Sequence, residues 1–187
     1  MEFITNLDFL ILNFIQNCIK CSFLDFVMPY ITKLGNGGLL WILIGGILAV
    51  IPKTRKCGFS ILLGLLLCLI VGNICIKPFV ARERPFGSNA DIELLIEAPR
   101  DFSFPSGHTL SSFVVAFMIW FENKKAGAFM FVVAGLIAFS RLYLYVHFPT
   151  DVLGGIVLAV IISYFVKFVF IDRLYPKIEN KYFINKD

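Results

Sequence analysis

Long apolar runs are the feature of this 187-residue sequence that most limits what it can fold into. About 20 consecutive apolar residues are needed for a helix to cross the ~30 Å hydrocarbon core of a bilayer. Hydrophobic residues make up 58% of the chain and charged residues only 16%, whereas soluble domains carry about a quarter charged residues. The sequence therefore predicts an all-α, polytopic membrane helix bundle in a single domain, with five transmembrane helices at residues 34–51, 59–76, 108–121, 126–145 and 151–170.

The first 34 residues have a different pattern. Apolar residues repeat there at helical spacing, while asparagines, Gln16 and Lys20 share the other side. This pattern is typical of an amphipathic helix in the membrane interface. Pro29 and the turn from Gly35 to Gly38 should end any helix that begins here. We expect a core of residues 35–170, an interfacial segment before it (1–34) and a cytoplasmic tail after it (171–187). A sixth span at the N-terminus stays open.

Basic residues indicate which side of the membrane each connection faces. They are concentrated just after residue 51, near residue 123 and in the tail. If five helices alternate, these segments fall on one side, which the positive-inside rule assigns to the cytoplasm. The connection 77–106 and the turn around His147 then face outward, and their basic residues indicate anion binding. The net charge of +4 is too small and too scattered to indicate nucleic acid.

Three polar clusters lie at outward helix ends, and they contain both histidines of the chain. A helix that begins at Ser106 and Gly107 directs unpaired N–H groups and the positive end of its dipole toward an anion. Lys77, Arg84 and Arg141 add three cations, and a guanidinium matches two phosphate oxygens at once. Because one phosphate carries about two charges at neutral pH, this set suffices for a phosphate or a pyrophosphate.

The third cluster also offers a nucleophile. Pro149 places Asp151 near the start of the last span. A carboxylate there can accept the proton of one nitrogen of His147 and leave the other nitrogen free to attack phosphorus. The second imidazole, His108, can protonate the leaving oxygen and later activate water. No carboxylates or histidines cluster with metal-ligand spacing, so we expect neither a metal nor another cofactor.

Each of these elements also has a purely structural interpretation. Arg82 and Arg100 can be residues that contact only water or lipid headgroups, and a histidine at a membrane boundary is often merely interfacial. Arg141 and His147 are six residues apart, so on an unbroken helix they would not share a face. Still, ionisable residues at membrane depth are usually functional, and purely structural roles would require several coincidences on one side.

Together the three clusters resemble the signature of the type-2 phosphatidic acid phosphatase family, which is shared with vanadium haloperoxidases. The family pattern is Lys, six residues, Arg-Pro; then Pro-Ser-Gly-His; then Ser-Arg, five residues, His, three residues, Asp. Every position and spacing matches over residues 77–151. The resemblance implies a helical bundle with its site at the outer end, His147 as nucleophile, Asp151 orienting it and His108 as acid and base. It also implies that Lys77, Arg84, Ser106, Gly107 and Arg141 hold the phosphate.

The resemblance implies a lipid phosphate as substrate and membrane lipids as surroundings, in a bacterial plasma (inner) membrane protein with its site facing outward. Undecaprenyl pyrophosphate is favoured over phosphatidylglycerophosphate or phosphatidic acid, because Arg82 and Arg100 offer charge for a second phosphate. Protein partners are not indicated. The acidic residues of the connection 86–104 would repel an anion and are expected to face away from it; they are Asp91, Glu93, Glu97 and Asp101.

Other functions fit less well. Haloperoxidases are large and soluble, unlike this apolar chain. A transporter would need ionisable residues or broken helices at the bilayer midplane, where the middle spans show little beyond Asn73 and glycines. A lipid-binding relative without activity would be expected to lack one of the histidines. Cys18 and Cys21 form a C-x-x-C without a second pair, which favours free thiols over a redox or zinc site.

Overall fold

The computed structural model describes residues 2–89 and 92–180, and every regular element within these ranges is helical. The order is α1 (Glu2–Phe14) with a π-helical extension (Ile15–Ile19), α2 (Ser22–Lys33), a 3₁₀ turn (Asn36–Gly38), α3 (Leu39–Val50), and α4 (Arg55–Leu67) with its π-helical extension (Cys68–Ile76). There follow α5 (Lys77–Val80), a 3₁₀ turn (Pro85–Ser88), α6 (Gly107–Glu122), α7 (Lys124–Tyr143), and α8 (Pro149–Val166), which a π-helical stretch (Lys167–Leu174) joins to α9 (Tyr175–Glu179).

The predicted all-α membrane bundle is confirmed. In the part of the chain that the structure describes, four helical stretches are long and apolar enough to cross a bilayer: Ser22–Val50, Arg55–Ser88, Lys124–Tyr143 and Pro149–Lys177. The predicted span 108–121 corresponds to α6, which has 16 residues. At 1.5 Å per residue α6 is roughly 24 Å long, a little less than the hydrocarbon core.

The short helix α6 is the centre of the bundle. It packs against α4, α7 and α8, and Val114, Val115 and Met118 on it are fully buried. Burying an aliphatic side chain of this size contributes about 1.5–3 kcal/mol in water, and in a membrane the same close packing supplies dispersion contacts instead. Because protein rather than lipid surrounds most of α6, its length does not have to match the bilayer.

Both ends of the predicted core differ in detail from the structure. The first long stretch begins in α2, and the glycine turn only kinks it: Gly37 and Gly38 have positive φ values of 58° and 66°. At the other end, helix continues past residue 170 through α9 to Glu179, with Ile171 and Tyr175 buried. The expectation that Pro29 would end a helix is wrong, because Pro29 lies inside α2, and the glycine turn interrupts the helical stretch without ending it. Whether a helix continues therefore depends on packing as well as on local turn residues. Residues 181–187 of the predicted tail lie outside the described residues.

The two ends of the bundle have different chemistry. At one end, Lys56 at the start of α4 forms an ion pair of 2.9 Å with Glu122 at the end of α6. Lys53 lies in the same region, where the two lysine-rich connections meet. The opposite end carries the three clusters singled out in the sequence, together with the N-terminal helix α1.

Candidate active site

A cavity of about 1120 Å³ opens among α2, the α4 extension, α6 and the connection before α6. Six of the eight predicted site residues line it: Lys77, Arg84, Gly107, His108, Arg141 and His147. The other two, Ser106 and Asp151, are fully buried and lie behind this lining. The three sequence clusters therefore converge in one place.

A break in the helix brings Arg141 and His147 together. Helix α7 ends at Tyr143, and Tyr145 has a positive φ of 57°. The amide of Val146 then donates a hydrogen bond back to the carbonyl of Arg141 at 3.2 Å. This tight turn folds the chain under α7, so two residues that would not share a face of a continuous helix both reach the cavity.

His147 is held so that its Nε2 atom carries no proton. Arg84 Nη1 lies 3.2 Å from His147 Nε2. A guanidinium has only donors, so Nε2 must be the acceptor and the proton of the neutral ring is on Nδ1. His147 Nδ1 lies 3.5 Å from Asp151 Oδ2 and 3.4 Å from Ser103 Oγ. The unprotonated nitrogen has the lone pair that a nucleophile needs.

The surroundings also keep His147 neutral. Burial lowers the pKa of His147 well below its usual value of 6.5, and the charges of Arg141, Arg84 and Lys77 lower it further, against a smaller opposing effect of Asp101. An imidazole protonated on both nitrogens has no lone pair to donate. At neutral pH the ring therefore stays in the form that can attack an electrophile.

Asp151 is fixed by several donors. Its Oδ2 accepts hydrogen bonds from Ser103 Oγ at 2.5 Å and from the amide of Phe148 at 2.8 Å. Its Oδ1 pairs with Arg82 Nη1 at 2.6 Å. Asp151 lies in the first turn of α8, where the helix dipole favours negative charge. Asp151 is thus a rigid carboxylate directly behind His147, as its place in the sequence predicts.

Asp101 does not face away from the cations, and the expectation that it would is wrong. Its carboxylate bridges Lys77 Nζ and Arg84 Nη2, the latter at 2.7 Å. Burial alone would raise the pKa of Asp101, but hydrogen bonds and the charges of Lys77 and Arg84 lower it to about 2. Two buried cations attract the half-exposed carboxylate that lies nearest to them. Glu97 also lines the cavity, but its side chain is exposed and pairs with Arg100 at 3.8 Å. Glu93 is exposed outside the cavity lining, as expected, and Asp91 lies outside the described residues.

Arg141 has the environment of an anion ligand. Its guanidinium is buried and donates from Nη1 to Thr32 Oγ1 at 2.6 Å. Its Nε is buried without a hydrogen-bond partner, which is costly for a charged donor unless an acceptor arrives. Because Arg141 also lines the cavity, a bound anion would satisfy this donor.

The three residues at the start of α6, which are Ser106, Gly107 and His108, have different surroundings. Ser106 caps the helix, its Oγ accepting from the Thr109 amide at 3.5 Å and from Thr109 Oγ1 at 3.0 Å, and it lies behind the cavity wall. Gly107 lines the cavity beside Lys77. His108 donates from Nε2 to Asn36 Oδ1 at 2.9 Å. A Cβ on Gly35 would lie 2.6 Å from the His108 ring, so only glycine lets the end of α2 approach so closely.

Sequence reasoning did not find four of the residues around these groups. Two of them contact the site from close in the sequence or across the bundle: Ser103 contacts Asp151, and Thr32 contacts Arg141. The other two are Asn36, which contacts His108, and Asp8, which contacts Arg82. Ser103 is two residues before Pro105, and only its proximity to the Pro-Ser-Gly-His segment could have drawn attention to it. Arg82 itself, expected either to be solvated or to offer charge for a second phosphate, instead points away from the cavity toward Asp8 and Asp151.

No group of three or more histidine, cysteine or acidic side chains within residues 2–89 and 92–180 could hold a metal ion. The donors that face the cavity are cations, amides and imidazoles. Such a set binds an anion rather than a cation.

Comparison with known proteins identifies the family. The family model of the PAP2 superfamily matches residues 58–174. The chain belongs to this superfamily. It is 32% identical over 162 residues to the undecaprenyl-diphosphatase BcrC of Bacillus subtilis, covering 84% of this chain and 80% of the relative. Phosphatidylglycerophosphatase B of Bacillus subtilis is 32% identical over 168 residues, covering 80% and 76%.

The PAP2 fold is also found among solved structures. The crystal structure of a transmembrane PAP2-type phosphatidylglycerolphosphate phosphatase from Bacillus subtilis aligns with a TM-score of 0.77 at 29% identity. The alignment covers 93% of this chain and 89% of that one. Taken with the apolar helical bundle, these matches show that the protein is a multi-pass membrane lipid phosphatase of the PAP2 superfamily.

Proposed function

We propose that this PAP2 protein removes the terminal phosphate of undecaprenyl pyrophosphate through a phosphohistidine on His147. The observation that carries the mechanism is the environment of His147: Nε2 is unprotonated beside Arg84, and Nδ1 is directed toward Asp151 and Ser103. The relative named undecaprenyl-diphosphatase, at 32% identity over most of both chains, supports the substrate. Arg82 lends no support, since its partners are the two carboxylates.

The first step forms a bond between His147 Nε2 and phosphorus while the bond from phosphorus to the leaving oxygen breaks. His108, protonated beside the bound phosphate anion, donates a proton to that oxygen and becomes a neutral imidazole. The Nδ1 proton remains on the ring, which becomes cationic, and Asp151 stabilises this charge. Lys77, Arg84, Arg141 and the start of α6 stabilise the negative charge on the phosphoryl oxygens.

The second step returns the enzyme to its first state. Water attacks the phosphoryl group as His108 takes one of its protons, the bond to Nε2 breaks, and inorganic phosphate leaves. During both steps Asp101 must give up Lys77 and Arg84 to the phosphate, because it occupies donors that the phosphate needs. The chain's own residues supply each proton transfer.

Phosphate release by the purified protein in detergent and EDTA tests this function. Undecaprenyl pyrophosphate, phosphatidylglycerophosphate and phosphatidic acid are compared side by side with the His147→Gln variant. We expect fastest release from undecaprenyl pyrophosphate, no release by the variant, and an acid-labile, base-stable phosphoryl group on the wild type after rapid quenching. Turnover by the variant would contradict the phosphohistidine, and loss in EDTA restored by a divalent cation would contradict the metal-free chemistry.

Phosphatidylglycerophosphate is the second candidate substrate, because the PAP2-type phosphatidylglycerolphosphate phosphatase aligns over 93% of this chain. Preferential release from that lipid would replace the first proposal while leaving the mechanism intact.

We also propose that the site faces outward. The lysine-rich connections meet at the opposite end of the bundle, as the positive-inside rule requires of a cytoplasmic end. In a cysteine-free background, an impermeant maleimide should label Glu97→Cys on intact cells and Lys53→Cys only after lysis. The reverse pattern would invert the topology.

A further inference from the structure

Asp8 is a buried acidic residue on the N-terminal helix α1. It is 1% exposed, and it shares one helical face with Leu12 of α1 and Ile15 of the π-helical extension, which are also buried. Other positions of the helix are open: Phe3 is 79% exposed and Leu10 is 65% exposed. The face with Asp8 therefore contacts the protein, and the apolar face is available to lipid.

Asp8 contacts residues that surround the catalytic carboxylate. Its Oδ2 pairs with Arg82 Nη2 at 2.7 Å and accepts from Thr150 Oγ1 at 2.5 Å, while its Oδ1 accepts from the Thr150 amide at 3.0 Å. Thr150 immediately precedes Asp151 in the first turn of α8. The N-terminal helix is thereby joined to the residue on which His147 depends.

Arg82 is held in one orientation between the two carboxylates. Its Nη1 donates to Asp151 Oδ1 at 2.6 Å and to Thr150 Oγ1 at 2.7 Å. Its guanidinium lies 4.0 Å from the centre of the Phe148 ring, and Phe9 of α1 packs edge-on against that ring at 5.2 Å. Two carboxylates and an aromatic face together fix a planar cation more tightly than a single ion pair would.

Charge balance gives Asp8 a function beyond packing. An arginine paired with Asp151 alone would neutralise that carboxylate and favour a bidentate pair that turns Oδ2 away from His147. With Asp8 on its other side, Arg82 is shared between the carboxylates of Asp8 and Asp151. The sum of one positive and two negative charges is a single negative charge next to the imidazole of His147. A cationic phosphohistidine requires that negative charge.

We propose that Asp8 is a positioning residue for phosphoryl transfer: it engages one side of Arg82, so that Asp151 keeps its charge and its contact with His147. The proposal rests on the proposed phosphohistidine mechanism. It makes the N-terminal helix part of the catalytic apparatus, although α1 does not line the cavity. Because Asp8 does not touch the substrate, its loss should slow the chemical step and leave substrate binding unchanged.

The test uses the full-length protein and steady-state phosphate release. Asp8→Asn should lower kcat about tenfold with KM within about twofold of wild type, the loss expected for one weakened charged contact in the transition state. Asp8→Glu should recover most of the rate. The matched control is Asn13→Ala, which removes another hydrogen bond of α1, the one from Tyr145 Oη at 3.1 Å, without touching Arg82.

A double-mutant cycle separates the proposed route from a general loss of docking. Arg82→Gln removes the cation that Asp8 engages, so adding Asp8→Asn to it should change kcat by less than about twofold. If the double mutant instead lost kcat by the product of the two single-mutant factors, Asp8 would not act through Arg82, and the proposal would be overturned. A loss of equal size in Asn13→Ala, or a rise in KM at unchanged kcat, would also overturn it.

A spectroscopic measurement remains decisive even if no lipid tested is a substrate. The chain has only two histidines, so the imidazole ¹⁵N and Nδ1–H signals of ¹⁵N-histidine-labelled protein can be assigned with His108→Gln. The Nδ1–H signal of His147 should move in Asp8→Asn and stay in place in Asn13→Ala and Asp8→Glu. An unmoved signal in Asp8→Asn would overturn the positioning role, whereas failure of wild-type turnover alone would count against the proposed function.

Discussion

Arg82 and Arg84 are two residues apart in the sequence and lie in charged clusters of opposite character. The front cluster faces the cavity and contains Arg84, Lys77 and Arg141 with one half-exposed carboxylate, that of Asp101. The rear cluster lies outside the cavity lining and contains Arg82, partly exposed, between two fully buried carboxylates. His147 lies at the boundary, with Nε2 toward the front and Nδ1 toward the rear.

The difference shows how arginine takes two roles in one site, as a phosphate ligand at the front and as a partner of carboxylates at the rear. Excess positive charge at the front attracts an anion and keeps the imidazole neutral, while excess negative charge at the rear stabilises the cation that the imidazole becomes. A front cluster with a balanced charge would bind phosphate weakly. A rear cluster with a balanced charge would leave the phosphohistidine without a counter-ion.

The largest effect should come from removing a guanidinium from the front. Arg141→Lys should lower kcat/KM about 100-fold, since an ammonium cannot make two parallel hydrogen bonds to a phosphate or reach Thr32 in the same geometry. The measurement is steady-state phosphate release. The control is Arg173→Lys, an exposed arginine of the π-helical stretch after α8 that does not line the cavity and whose activity should be close to wild type. Equal effects of the two substitutions would remove Arg141 from the phosphate site.

A smaller effect should come from the rear. Ser103→Ala deletes the hydroxyl that donates to Asp151 Oδ2, and kcat should fall about five- to tenfold because one hydrogen bond to a charged group is lost. KM should not change, since Ser103 does not line the cavity. If KM rose while kcat held, the hydroxyl would act on substrate binding, and the separation into front and rear would fail.

A still smaller effect, of opposite sign, is expected for Asp101→Asn. This substitution removes the carboxylate that competes with phosphate for Lys77 and Arg84, so product inhibition by inorganic phosphate should become about threefold stronger. The inhibition constant is measured beside that of Glu97→Gln, an exposed acid of the same connection. Weaker inhibition in Asp101→Asn would mean that Asp101 organises the cations instead of competing with their ligand.

The smallest effect concerns stability at low pH. The folded pKa of His147 lies well below 6.5, so below that pH the unfolded chain binds a proton that the folded chain does not, and stability falls as the solution is acidified. The apparent Tm in detergent should therefore drop less between pH 7.5 and 5 in His147→Gln than in wild type. An identical drop would indicate that His147 takes up a proton in the folded state.

The sequence by itself determined the apolar helices, the turn at Gly35 to Gly38, and the order and spacing of the site residues. These features depend on local chemistry: the length of an apolar run, the backbone freedom of glycine, and the start of a helix after Pro149 or at Ser106. For the same reason the sequence predicted Asp151 in the first turn of α8. It could not show that Arg141 and His147 meet, because that depends on the positive φ at Tyr145, a residue type that seldom adopts it.

Tertiary structure alone decided which charges face each other. The signature assigned Arg84 to the phosphate, but only the packing of α1 against the start of α8 shows that Arg82 belongs to the rear cluster. Asp8 and Asp151 are 143 positions apart, and nothing in the residues near Asp8 marks it as a partner of the site. The spacing of apolar residues shows which face of a helix is buried, but not which segment covers that face. Ion pairs between distant segments form only where the folded bundle brings the two charges within hydrogen-bond distance, so the sequence alone cannot predict them.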